Sequence, residues 1–128
     1  MAAEYTYDYA VIRVMPRVDR GEVVNVGVIL HCPELNFLGV RTEVDEARVR
    51  MLDANVDIEA VKAHLLAFSE ICRGGDGTGP IGELPERNRY YWLVAVRSTI
   101  IQISPPHTGR TADPARTLDH LFDVMVRL

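Results

Sequence analysis

The stretch Gly21-Glu-Val-Val-Asn-Val-Gly-Val-Ile-Leu-His-Cys32 is the longest apolar run in the chain, and its β-branched residues argue for a strand rather than a helix. In an extended chain successive side chains point to opposite faces. Alternation then puts Val24, Val26, Val28, Leu30 and Cys32 on one face, all apolar. Val23, Asn25, Gly27, Ile29 and His31 share the other, which mixes apolar groups with an amide, an imidazole and bare backbone. The pattern predicts a central strand with one face in the core and a second face suited to a site.

The neighbours on either side extend this strand into a sheet. Tyr5 to Met15 alternates in the same way and reads as a first strand, joined through the loop Pro16–Gly21. So short a connection makes the two strands antiparallel neighbours. Pro33-Glu-Leu-Asn36 reads as a turn in which Asn36 takes a left-handed conformation, and Phe37 to Thr42 as a third strand of a meander. The tyrosine-rich first strand is expected at an exposed edge.

Helical signals dominate the second half. Asp45 is placed to cap a short helix over Glu46–Leu52, and Asp57 a longer one with Ile58, Val61, Leu65, Phe68 and Cys72 on one stripe. Gly74 and Gly75 end it, and residues 74–82 read as an exposed, flexible loop. Leu84 to Val96 suits either a helix opened by Pro85-Glu86 or a strand. The expectation is a short helix running into a strand at Thr99–Ile103. Ser104-Pro-Pro-His-Thr-Gly-Arg110 reads as a loop stiffened by its prolines. Asp113-Pro114 then opens a last helix with Leu118, Leu121, Phe122, Met125 and Val126 on one stripe. The fold class expected is α+β: one domain over residues 1–128, with a mainly antiparallel sheet of about four strands and helices packed on one face.

Composition narrows the function classes. Hydrophobic content of 48% with 25% charged residues is that of a soluble globular domain. No run approaches the roughly 20 apolar residues that cross a bilayer. The start lacks the basic and apolar parts of a signal peptide, and the two cysteines show no CxxC spacing. A cytoplasmic location with free thiols is expected. The formal net charge of −4 gives no reason to expect nucleic-acid binding. Lys62 is the only lysine, so any positive patch is built of guanidinium forks.

Three places carry chemistry. The segment Ser104–Asp113 gathers hydroxyls, His107, Thr108 and Arg110 before a helix start, an arrangement that suits an anion. Arg97 and Ser98 lie just upstream as a rim. Asn25 and His31 flank Gly27 on one strand face. Against each stands a plainer reading: the loop residues satisfy their own backbone, the arginines are solvated or paired with Glu83 and Glu86, and Asn25 bonds a neighbour. A zinc set of His31, Cys32, His64 and Cys72 lacks paired ligand spacing, so neither metal nor cofactor is expected. No GxSxG elbow or phosphate loop is present.

Several blocks together resemble a bacterial family, domain of unknown function 3037. They are Tyr9-Ala-Val-Ile-Arg-Val14, Gly21 to Leu30, Leu84-Pro85, Trp92-Leu93, Arg97-Ser98-Thr99 and Ser104-Pro-Pro-His-Thr-Gly109. Val96 departs from the family pattern, where a proline is expected. The resemblance carries no established activity, so it transfers no catalytic residue. It implies an accessory or regulatory role beside kinase-like proteins of the HipA type.

The function expected is therefore a non-enzymatic accessory or binding module acting on a partner protein or a small anionic ligand. Its expected site joins Asn25, Arg97, Ser98, His107, Thr108 and Arg110. One alternative is a small phosphoryl-transfer or phosphodiester-hydrolysing enzyme using His107. Another is a self-associating structural domain, a homodimer.

Overall fold

A computed structural model describes residues 3–95 and 100–127, and in it β1 (Tyr5–Val14) is the axis of the sheet. β2 (Val24–Cys32) pairs with β1 antiparallel, and β3 (Phe37–Thr42) pairs antiparallel with β2. Two short strands divide the other side of β1 between them. β4 (Ile101–Ile103) lies against Ile12–Val14 and β5 (His107–Thr111) against Tyr5–Tyr9, both antiparallel. The expected meander and the α+β class are the fold observed. The tyrosine-rich strand, expected at an edge, is instead the most interior one, because the chain returns twice to pair with it.

Local chemistry accounts for the corners. The β1–β2 connection closes where Arg20 and Gly21 both donate backbone N–H groups to the Arg17 carbonyl, with Gly21 at φ +72°. After β2, Asn36 takes the left-handed conformation at φ 52° and donates its N–H to Pro33 O. Aspartates cap the starts of three helices. Asp45 accepts from Arg48 N–H before α1 (Glu46–Leu52), and Asp57 from Ala60 N–H before α2 (Ile58–Arg73). The Gly-rich segment is partly ordered: α3 (Gly79–Gly82) forms inside it, and Gly75 N–H bonds Gly82 O across its neck. α4 (Glu86–Val94) takes the helical alternative for the ambiguous segment. Thr99 lies outside the described residues, and the following strand is seen from Ile101. Asp113 caps α5 (Pro114–Met125) through Arg116 N–H.

A bulge changes the reading of β2. Ile12 pairs with Gly27, but Arg13 pairs with Asn25, so Val26 is an extra residue. An inserted residue breaks the alternation of faces at that point. Val24, Val26 and Ile29 therefore join one core, while Val28, Leu30 and Cys32 join another. Strict alternation puts Val24, Val26, Val28, Leu30 and Cys32 on a single face. Gly27 sits at the bulge because a Cβ there would come 2.8 Å from Arg41 O and 3.0 Å from Ile12 Cδ1.

Two apolar faces on one strand need two covers. On one face Ile12, Val14 and Ile29 pack with Val61, Phe68 and Leu93 from α2 and α4. On the other, Val28, Leu30 and Cys32 pack with Leu118, Phe122 and Val126 from the end of the chain. The expectation of helices on one face is corrected accordingly: α5 lies opposite α2 and α4.

Candidate functional site

The segment expected to be the functional loop is largely a strand. Pro105 and Pro106 supply no N–H and mark the bend between β4 and β5. Ser104, 3% exposed, anchors that bend, its Oγ accepting Val11 N–H at 2.8 Å and its own N–H bonding Val11 O. From His107 onward the backbone pairs with β1.

Strand geometry separates the expected site residues. His107, paired with Tyr9, lies on the α5 side of the sheet, its ring 5.3 Å from the Tyr9 ring. Thr108 and Arg110 alternate with Gly109 along β5, and Thr108 shares the opposite face with Asp8, donating to Asp8 Oδ1 at 2.7 Å. Arg110 donates to Glu4 O at 3.0 Å. Asn25 donates through Nδ2 to Met125 O at 3.0 Å, so it ties β2 to the last turn of α5. Arg97 and Ser98 lie outside the described residues. The four described residues therefore do not converge on one point. The start of α5 is also occupied: Asp113 takes the Arg116 N–H, and Thr111 Oγ1 accepts Asp113 N–H.

What β5 does present is its backbone. Val11 and Met15 turn their peptide groups toward β4, through Val11 N–H to Ser104 Oγ and Met15 N–H to Ile100 O. By the two-residue period, Tyr5, Tyr7 and Tyr9 face the same way. Their partners Thr111, Gly109 and His107 point inward, and the N–H and C=O groups of Thr108 and Arg110 point outward. The side chains of His107, Thr108 and Arg110 are exposed. Gly109 is required beneath Tyr7, whose hydroxyl would lie 2.5 Å from any Cβ there.

Two polar groupings escape the sequence reading. His31 is 4% exposed, with Nε2 3.2 Å from Glu86 Oε2 and its ring 4.6 Å from that of Tyr90. The Tyr90 hydroxyl is buried without a hydrogen-bond partner among the described residues. Burial, then the charges of Asp8 and Tyr91, push its pKa up to about 12. The four-residue spacing of Glu86 and Tyr90 on α4 signals this pair once the helix is assigned. The second grouping is Arg13, half-buried and in register with Asn25 on β2 and Gln102 on β4. Its Nε is buried, and no described residue accepts from it. Nothing in the apolar run around Arg13 marks it, because its neighbours come from two other strands.

The remaining polar features are internally matched. A hollow of about 210 Å³ beside the end of α5 is lined by Glu43, Asp45, Arg48, Val126 and Arg127. There Arg127 pairs with Glu43 at 3.4 Å, and Arg48 donates to Val126 O at 3.2 Å. Cys72 Sγ sits 3.2 Å from Leu38 O, and burial pushes its thiol up to about 11. His31 and Cys32 point to opposite faces of β2. Among the described residues no three His, Cys, Asp or Glu side chains gather as metal ligands, and no helix is long and apolar enough to cross a membrane.

The family described as protein of unknown function (DUF3037) matches residues 9–126, which takes in every element except the first four residues of β1. No curated protein and no solved structure matches the chain.

Proposed function

This chain belongs to the domain of unknown function 3037 family, and on that premise we propose that it is a non-enzymatic accessory module that binds a partner protein. The partner lays an extended segment along the outer edge of β5. One observation carries this reading: the outward backbone groups of Thr108 and Arg110, on a strand where the side chains of His107, Thr108 and Arg110 are exposed. An unpaired edge is a template for strand addition, in which main-chain hydrogen bonds give affinity and alternate side chains give specificity. A HipA-type kinase-like protein is the partner proposed, and the bacterial cytoplasm the place.

The geometry favours a protein segment over an anion at this strand. His107 and Arg110 point to opposite sides, and the Asp113 carboxylate occupies the helix start an anion would need. The same divergence weighs against a phosphoryl-transfer or phosphodiester-hydrolysing enzyme, which needs its base and its cation around one atom. Self-association through the same edge, giving a homodimer, is the second reading.

Thr108→Pro tests both. It removes one outward N–H and leaves the inward ladder to β1 intact. Binding of the HipA-type protein, measured by calorimetry, is expected to weaken by about tenfold or more. Unchanged affinity in the folded variant removes the β5 edge as the site. If light scattering shows a dimer that Thr108→Pro dissociates, the segment on the edge is that of a second copy.

A further inference from the structure

Resting on the strand-addition reading of β5, we infer that the segment it takes carries an acidic residue followed directly by an aromatic one. The acid faces Arg110, and the aromatic ring lies over Gly109. Every described pairing in this sheet is antiparallel. An incoming strand that keeps the pattern bonds to the outward groups of Thr108 and Arg110. It then sets one of its residues directly opposite each position of β5, with side chains on the same face as those they oppose.

One face of β5 calls for negative charge. Arg110 is in register with Thr6, and Thr108 with Asp8, so both lie on the face away from His107. The Arg110 side chain is exposed and gives one of its five donors to Glu4 O. No described carboxylate pairs with it, and the Asp8 carboxylate accepts from Thr108 instead. The remaining fork is open to a carboxylate on the next strand, and an opposite charge directly across stabilises a strand pair.

The other face calls for a ring. Gly109 has no side chain, and the tip of Tyr7 covers it, with Cζ 2.6 Å from where a Cβ would stand. The Tyr7 and Tyr9 ring centres are 6.2 Å apart, and the His107 ring lies 5.3 Å from that of Tyr9. Tyr7 and Tyr9 are half-exposed and His107 is exposed, so three rings border the position beside Gly109. A side chain opposite Gly109 lands on these rings, where an aromatic one gains offset or edge-on contacts. In an antiparallel strand the residue facing Arg110 precedes the one facing Gly109, which sets the order of acid and then aromatic.

The test is an NMR titration of the full chain with the capped peptide Thr-Val-Glu-Phe-Thr-Val and two twins, one with Lys for Glu and one with Ala for Phe. Saturable shifts of the Thr108 and Arg110 backbone N–H signals are expected with the parent peptide. The Lys twin is expected to bind about fivefold more weakly and the Ala twin about tenfold. Added salt should narrow the first gap and leave the second. Arg110→Glu should reverse the preference for Glu over Lys while keeping that for Phe over Ala. If all three peptides bind alike and Thr108→Pro abolishes their binding, the acid–aromatic preference is overturned and the β5 edge stands. An absence of saturable shifts with every peptide also overturns the preference, and Thr108→Pro calorimetry on the partner protein then decides the edge by itself.

Discussion

Tyr90 places a hydroxyl inside the protein where no described residue meets it with a hydrogen bond, and that one group has two measurable consequences. Its pKa stands at about 12 against an ordinary 10.0, so the folded state holds the proton more tightly than the unfolded state does. For an acid whose folded value is raised, stability is fully present below pH 10 and falls as pH rises toward 12. A shift of this size corresponds to roughly 2–3 kcal/mol across that window. Tyr90→Phe removes the unpaired hydroxyl and keeps the ring against His31. It is expected to raise stability by about 1 kcal/mol at neutral pH and to flatten the alkaline loss. Urea denaturation at pH 7 and above pH 10 checks both, and a less stable variant at pH 7 would show that the hydroxyl is satisfied in solution. His31 itself was legible as a polar residue on a strand. Its partners on α4 were not, because they lie more than fifty positions away in the chain.

At the scale of elements, the bend between β4 and β5 decides what the polar segment becomes. The prolines end β4, and Ser104 replaces the lost backbone bonding with its hydroxyl, taking the Val11 N–H across the sheet. Ser104→Ala leaves that buried N–H without an acceptor and is expected to cost about 1–3 kcal/mol. Faster amide exchange at Val11 relative to Tyr9 is the local signature to measure. α1, α2 and α5 were legible here because each carries its own marker, Asp45, Asp57 and Asp113 at the starts, and α2 and α5 add apolar stripes along their length. His107–Thr111 was not, since His-Thr-Gly-Arg-Thr has no apolar alternation and becomes a strand only through its pairing with β1.

At the scale of the whole molecule, one sheet separates two apolar cores. Phe122, 1% exposed, fills the smaller core with Arg41 4.3 Å above its ring centre. Phe122→Ala is expected to cost about 3–5 kcal/mol. Because both cores share β2, the loss should appear as a single shifted transition in calorimetry. Two separate transitions would mean that the α5 side melts alone. The outer edge of β5, to which no described strand pairs, and the buried Arg13 Nε, from which no described residue accepts, also belong to this scale, for each exists only as a relation between strands.

By itself the sequence determined the local elements: the antiparallel meander, the capped helices and the α+β class follow from period, caps and turn residues acting within a few positions. Tertiary structure decided which faces those elements show. The bulge at Val26 re-aims β2, the return of β4 and β5 buries β1, and α5 closes the second face. Each of these depends on pairing between distant segments, where backbone hydrogen bonding and burial outweigh local preference. For the same reason the expected cluster around His107 came apart into two faces, while Arg13, unmarked in the chain, emerged beside Asn25.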